Sequence, residues 1–185
     1  AISPDDKSVA SASDDCTVRV WNLPAGPLRL TLQGHEDYVR QVEFTPDGTL
    51  VVSSARDGTV RFWDTFTGEP RGVIHAPSPD EGVIFAIDPL GRFLAATQND
   101  SNVSLYDVAS REILGTLAGN GRMVFQIAFS PDGGSLATCG EDGTIHLWDV
   151  ANRLEVKTLA GHSGRMYSVA YSPAGDVLAS CGDDG

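Results

Sequence analysis

Residues 34–64 read GHEDYVRQVEFTPDGTLVVSSARDGTVRFWD, and this stretch decides the fold. Val39 to Phe44 mixes apolar and polar positions, and Pro46-Asp47-Gly48 then turns the chain. Leu50 to Ser54 is a short apolar strand, followed at Arg56-Asp57-Gly58 by a tight hairpin with Gly where positive φ is wanted. Thr59 to Trp63 alternates with β-branched and aromatic residues. Thr65 to Gly68 turns again, and Arg71 to Ile74 supplies a fourth strand. No stretch carries a 3.6-residue apolar stripe of helical length. The expectation is a four-stranded antiparallel unit, too small to be stable alone.

Working outward, the unit recurs. Pro4, Pro46, Pro89, Pro131 and Pro173 fall about 42 residues apart. Four of them sit in the turns Thr45-Pro46-Asp47-Gly48, Asp88-Pro89-Leu90-Gly91, Ser130-Pro131-Asp132-Gly133 and Ser172-Pro173-Ala174-Gly175. Asp15, Asp57, Asp100, Asp142 and Asp184 keep the same frame. So do Trp21, Trp63, Tyr106 and Trp148, each followed by Asn or Asp. The units run over residues 1–33 (partial), 34–75, 76–117, 118–160 and 161–185 (partial).

Four strands per unit, with Gly34-His35 near one end and Trp63-Asp64 near the other, resemble the WD-repeat β-propeller family over the whole chain. The resemblance implies an all-β propeller of four-stranded antiparallel blades. About four and a half blades are present, part of a seven-bladed ring. The ring would be completed by the rest of a larger propeller chain or by self-assembly of copies.

Composition bounds the function. The 185 residues are 41% hydrophobic and 21% charged, and 20 Gly with 10 Pro suit a turn-rich, ordered chain. Thirteen Lys and Arg against 25 Asp and Glu give a net charge of −12. That balance disfavours nucleic acid and anionic membrane as partners, although much of it is turn aspartate repeated by the architecture. No apolar run approaches the roughly 18 residues of a membrane span, and no secretory leader is legible. Cys16, Cys139 and Cys181 are odd in number and far apart. They argue against zinc and a disulfide framework and for the cytoplasm. Cys139 and Cys181 are expected to be buried apolar fillers.

The resemblance also implies a hydrogen-bonded His, Ser/Thr, Asp and Trp chain inside each blade. The second unit carries all four, as His35, Ser53, Asp57 and Trp63. The first has Ser11, Asp15 and Trp21, the fourth Thr138, Asp142 and Trp148, and the fifth His162, Ser180 and Asp184. Asn120 stands where the fourth unit's His would be. The third, with Ser78, Ala96, Asp100 and Tyr106, is expected to rely on packing alone. A nucleophilic triad is the competing reading of His, Ser and Asp, but a catalytic set is needed once and this one recurs. His75 and His146 stand as isolated strand positions. No enzyme, cofactor or metal site is expected.

A protein or peptide partner is expected on the rim where the first strands begin. The resemblance places Tyr38, Arg40 and Arg56 there, with Glu81, Val83 and Asn99, then Met123, Phe125 and Glu141, then Arg165, Tyr167 and Asp183. Aromatic and Arg side chains dominate interface hot spots, which singles out Tyr38, Arg40, Arg56, Phe125, Arg165 and Tyr167. Phe125 and Tyr167 share parity with core positions, so burial is the alternative for both. With Arg122 nearby in sequence, a local basic spot could accept an acidic or phosphorylated peptide. The function expected is an interaction scaffold. A sensor propeller attached to an ATPase or kinase domain outside this chain is the alternative, and a propeller-type enzyme the third reading.

Overall fold

The computed structural model describes residues 1–24, 26–76, 82–98, 101–119 and 121–185. Among these there is no helix, and the chain forms two compact units, Ala1–Val83 and Ile84–Gly185.

The first unit holds two antiparallel sheets. One is β1 (Ser8–Ala12), β2 (Thr17–Asn22) and β3 (Leu28–Gln33); the other is β4 (Val39–Phe44), β5 (Leu50–Ala55), β6 (Thr59–Asp64) and β7 (Pro70–His75). The second unit holds three sheets. They are β8 (Phe85–Ile87) to β11 (Ile113–Leu117) by way of β9 (Phe93–Gln98) and β10 (Asn102–Asp107), then β12 (Val124–Phe129), β13 (Ser135–Gly140), β14 (Thr144–Asp149) and β15 (Leu154–Ala160), and the pair β16 (Met166–Tyr171) and β17 (Leu178–Gly182). Every sheet is a meander, each strand pairing with its neighbour in sequence.

The periodic aspartates explain the turns. Asp47 Oδ1 accepts from Thr45 Oγ1 at 2.6 Å and from the Thr49 N–H at 3.1 Å, while Gly48 takes φ 69°. Ser130 and Asp132 repeat the arrangement at 2.6 Å. Asp64 accepts from the Phe66 and Thr67 N–H groups, both at 2.9 Å, and is held down at about 2 chiefly by the Thr67 N–H. Such carboxylates satisfy turn donors that no strand can reach.

The third sheet departs from this plan. Asp88 stands at the Ser/Thr position, fully buried, and Arg92 closes on it at 2.7 Å through Nε. Gly133 packs against that pair: a Cβ there would meet Asp88 Oδ1 and Arg92, and its φ of 70° suits only glycine comfortably.

Apolar side chains between neighbouring sheets make the core. In the first unit Ala10, Val18, Val20, Leu32, Val39, Phe44, Val51 and Trp63 form one cluster. Among the described residues of the second unit, one cluster gathers Leu105, Ile127, Phe129 and Leu136 and another Ala137, Ile145, Met166 and Val169. Each full burial of a Leu, Val or Phe contributes about 1.5–3 kcal/mol. Inner strands such as β5 are covered on both faces and buried almost throughout, Ser53 and Ser54 included, whereas the last strand β15 is exposed along most of its length.

Candidate functional site

Two sets of polar residues could carry function, one inside the sheets and one at the strand starts. In the second sheet the interior set closes into a chain. His35 Nδ1 lies 2.9 Å from Asp57 Oδ2, and its Nε2 lies 2.8 Å from Ser53 Oγ. Trp63 Nε1 donates to that same Oγ at 2.8 Å. Because Asp57 only accepts, the network assigns the imidazole proton to Nδ1 and leaves Nε2 to accept from the Ser53 hydroxyl.

Burial pushes His35 below its ordinary value and outweighs the pull of Asp57. Burial alone would raise Asp57, yet hydrogen bonds from Thr59, the Glu36 N–H and His35 hold it below the usual carboxylate range. Ser53 is fully buried and the His35 side chain is 1% exposed, so no substrate reaches the hydroxyl. The chain staples β5 and β6 to the loop before β4.

The other sheets use parts of the same device. Trp21 Nε1 donates to Ser11 Oγ at 3.3 Å, and Asp15 pairs with Arg19 at 2.9 Å. In the last sheet His162 lies 2.6 Å from Asp184 and 2.9 Å from Ser180. In the fourth, Trp148 Nε1 donates to Thr138 Oγ1 at 3.1 Å.

Asp142 finds its histidine on β14, which corrects the reading of His146 as isolated. His146 Nε2 lies 2.8 Å from Asp142 Oδ2, and Nδ1 lies 3.0 Å from Glu155 Oε1. The third sheet is also not held by packing alone, since Gln98 Nε2 donates to Tyr106 Oη at 3.0 Å. Ser78, Asp100 and Asn120 lie outside the described residues.

The two histidines are shifted in opposite directions. Burial alone would lower His146, but Asp142 and then Glu155 outweigh it and raise the imidazole above its ordinary 6.5. A raised folded value means a stabilising contribution fully present below about 6.5 and lost as pH rises through the folded value. His146→Gln is therefore expected to cost about 1 kcal/mol at pH 5.5 and markedly less at pH 9. Urea unfolding of both proteins at the two pH values checks this, and an equal cost at both would refute a charged His146.

The strand starts carry the second set, and a repeated irregularity shapes it. Val39 pairs with Ala55 and Gln41 with Ser54, so Arg40 is an extra residue in the ladder. Val124 pairs with Gly140 and Gln126 with Cys139, leaving Phe125 extra; Met166 pairs with Gly182 and Ser168 with Cys181, leaving Tyr167 extra. Such bulges re-aim the unpaired side chain and break the in-and-out alternation.

Parity with core neighbours accordingly fails to bury Phe125 and Tyr167. Tyr167 is 50% exposed, and the half-buried Phe125 ring stacks on it at 5.7 Å and 21°. Met123 beside them is half-buried. In the first unit Tyr38 is 46% exposed, and the exposed Arg40 and Arg56 bring their stems together over Gly82, which adopts φ 80°.

Two expectations are corrected here. Val83 is fully buried, its carbonyl taking the Ser54 hydroxyl at 2.7 Å, and cannot meet a partner. Cys181 is exposed and no filler, although Cys139 is buried and its thiol is pushed up to about 12 by burial. Glu141 lies 3.2 Å from Arg165 and 4.0 Å from Arg122, so one carboxylate is shared by the two guanidinium groups and offsets only part of their charge. Glu81 and Asn99 lie outside the described residues. No group of three or more His, Cys, Asp or Glu that could hold a metal occurs among the described residues. No helix among them is long and apolar enough to cross a membrane.

Comparison with known proteins agrees with this geometry. The family model "WD domain, G-beta repeat" matches residues 1–22, 26–64, 111–149 and 154–185. Residues 65–110, which hold most of the divergent third sheet, fall between the matches. Nuclear distribution protein nudF 2 of Aspergillus clavatus is 32% identical over 132 residues, covering 71% of this chain and 21% of that protein. The periodic tryptophan protein 2 homolog of Dictyostelium discoideum is 28% identical over 146 residues, covering 71% of this chain and 14% of its own length. Human coronin-7 is 52% identical over 40 residues, 22% of this chain and 4% of coronin-7. The chain thus spans about a fifth or less of the length of these relatives.

Proposed function

The chain belongs to the WD domain, G-beta repeat family, and from that premise we propose that it is a protein-interaction scaffold. Its partner docks on the strand starts, through Tyr38, Arg40, Arg56, Met123, Phe125, Arg165 and Tyr167. Proteins of this family generally bind protein partners and are generally non-catalytic.

The observation that carries the reading is the bulge repeated at Arg40, Phe125 and Tyr167. It turns an Arg and two aromatics out of three ladders at one position, and these are residue types that concentrate binding energy. The partner is a protein or peptide, since a chain of net charge −12 repels nucleic acid and acidic lipid. The histidine–serine chains act as staples, so no enzymatic step is assigned to them, and no cofactor. Three free thiols suit the reducing cytoplasm.

Hydrogen exchange of the full-length protein, alone and with its co-purifying partner, tests the docking face. Slowed exchange is expected at residues 36–42, 54–58, 122–126 and 164–168. Protection confined to the outer strands β7, β11 and β15 would refute it.

A further inference from the structure

At the ends of the strands away from Tyr38, Arg40 and Arg56, the first unit contains a second site. A cleft of about 590 Å³ opens there, lined among others by Lys7, Asn22, Arg29, Thr65 and Phe66. Arg29 is the second residue of β3, and the ladder registers make Arg71 on β7 its counterpart. Arg71 rests on the carboxylate of Asp64 at 2.9 Å, the residue that follows Trp63. In the first sheet the residue after Trp21 is the neutral Asn22.

Arg29 therefore lacks the counter-ion that its counterpart has. Its Nη2 instead donates to the Thr65 carbonyl of the neighbouring sheet at 2.7 Å, and its Nε is buried without an acceptor among the described residues. A half-buried guanidinium held by one neutral carbonyl is short of negative charge. The acids of the cleft are committed elsewhere. Asp5 accepts from the Ser3 hydroxyl and the Lys7 N–H, and Asp47 from Thr45 and Thr49.

We propose that this cleft binds a peptide carboxylate, which takes on Arg29 the place that Asp64 takes on Arg71. Lys7 lies 3.9 Å from Asp5 and is offset there, which leaves Arg29 as the anion's partner, and Phe66, 78% exposed, offers an apolar face beside it. The guanidinium fork matches a carboxylate. Asp5 and Asp47 in the same wall repel a phosphate dianion more strongly than a monoanion.

Saturation-transfer NMR on the full-length protein tests this with capped peptides. Acetyl-Ala-Glu-Ala-amide presents a side-chain carboxylate, acetyl-Ala-Ala-Ala a C-terminal one, and acetyl-Ala-Gln-Ala-amide neither. At least one of the first two is expected to bind, and which one identifies the source; the Gln peptide is expected not to. Asn22→Asp supplies the missing counter-ion internally, leaves the fold intact and should weaken the carboxylate peptide by about tenfold. Arg29→Lys, which keeps the charge but loses the fork, should weaken it severalfold. Equal binding of the Gln peptide, or undiminished binding by Asn22→Asp, would overturn the proposal. Displacement by inorganic phosphate at lower concentration than by acetate would overturn the choice of a carboxylate.

Discussion

Trp63→Ala is expected to lower the unfolding free energy by about 3–5 kcal/mol, the usual cost of removing a large aromatic from a packed core. The side chain is 2% exposed and belongs to the cluster that joins the two sheets of the first unit. Its ring meets the His35 ring edge-on at 6.1 Å, and its N–H is one of the two partners of the buried Ser53 hydroxyl. Truncation therefore opens a cavity and removes a hydrogen bond at once. Trp63→Phe separates the two effects. It keeps most of the apolar contact and should cost about 1–2 kcal/mol, from the bond and the small void. Urea unfolding followed by circular dichroism gives both numbers. A cost below about 1 kcal/mol for the alanine variant would mean that neither the core nor the polar chain depends on Trp63.

The effect has a functional consequence. A docking surface made of strand starts holds its shape only if the strands behind it do not slide. Asp57 takes the Glu36 N–H at 3.0 Å and so ties the approach to Tyr38 and Arg40 directly to the hairpin after Arg56. The buried chain keeps three candidate contact residues in one register, which is what the proposed docking face requires of it.

The period and the strands were legible because each depends on local chemistry, whereas the polar chain, whose members lie about 20 residues apart, came from the family resemblance. An Asp-Gly hairpin or a Ser-Pro-Asp turn satisfies its own backbone, so its residues announce it. What was not legible depends on partners distant in sequence. Nothing in Met123-Val124-Phe125 marks a bulge, because the extra residue exists only relative to β13; alternation therefore left Phe125 and Tyr167 open to a core reading that the bulges remove. His146 looked like an ordinary strand residue because Glu155 reaches it from the adjacent strand. The sharing of Glu141 between Arg122 and Arg165 likewise appears only when β12, β13 and β16 lie side by side. Asn22 is the reverse case. Its neutrality was visible in the repeat alignment, but its meaning needed the geometry of Arg29 and Arg71.

The second large effect concerns binding. Arg40 and Arg56 are exposed, and their stems converge over Gly82 beside the exposed Tyr38. Two arginines in an interface centre, each contributing about 2 kcal/mol or more, together weaken a complex by roughly a thousandfold when reversed. Neither side chain takes part in the buried chain of His35, Ser53, Asp57 and Trp63, so stability should be unaffected. The most direct measurement is retention of the co-purifying partner by full-length protein carrying Arg40→Glu and Arg56→Glu, beside its melting temperature. Loss of the partner at an unchanged melting temperature is the predicted result; retention of the partner at wild-type level would contradict the assignment of this face.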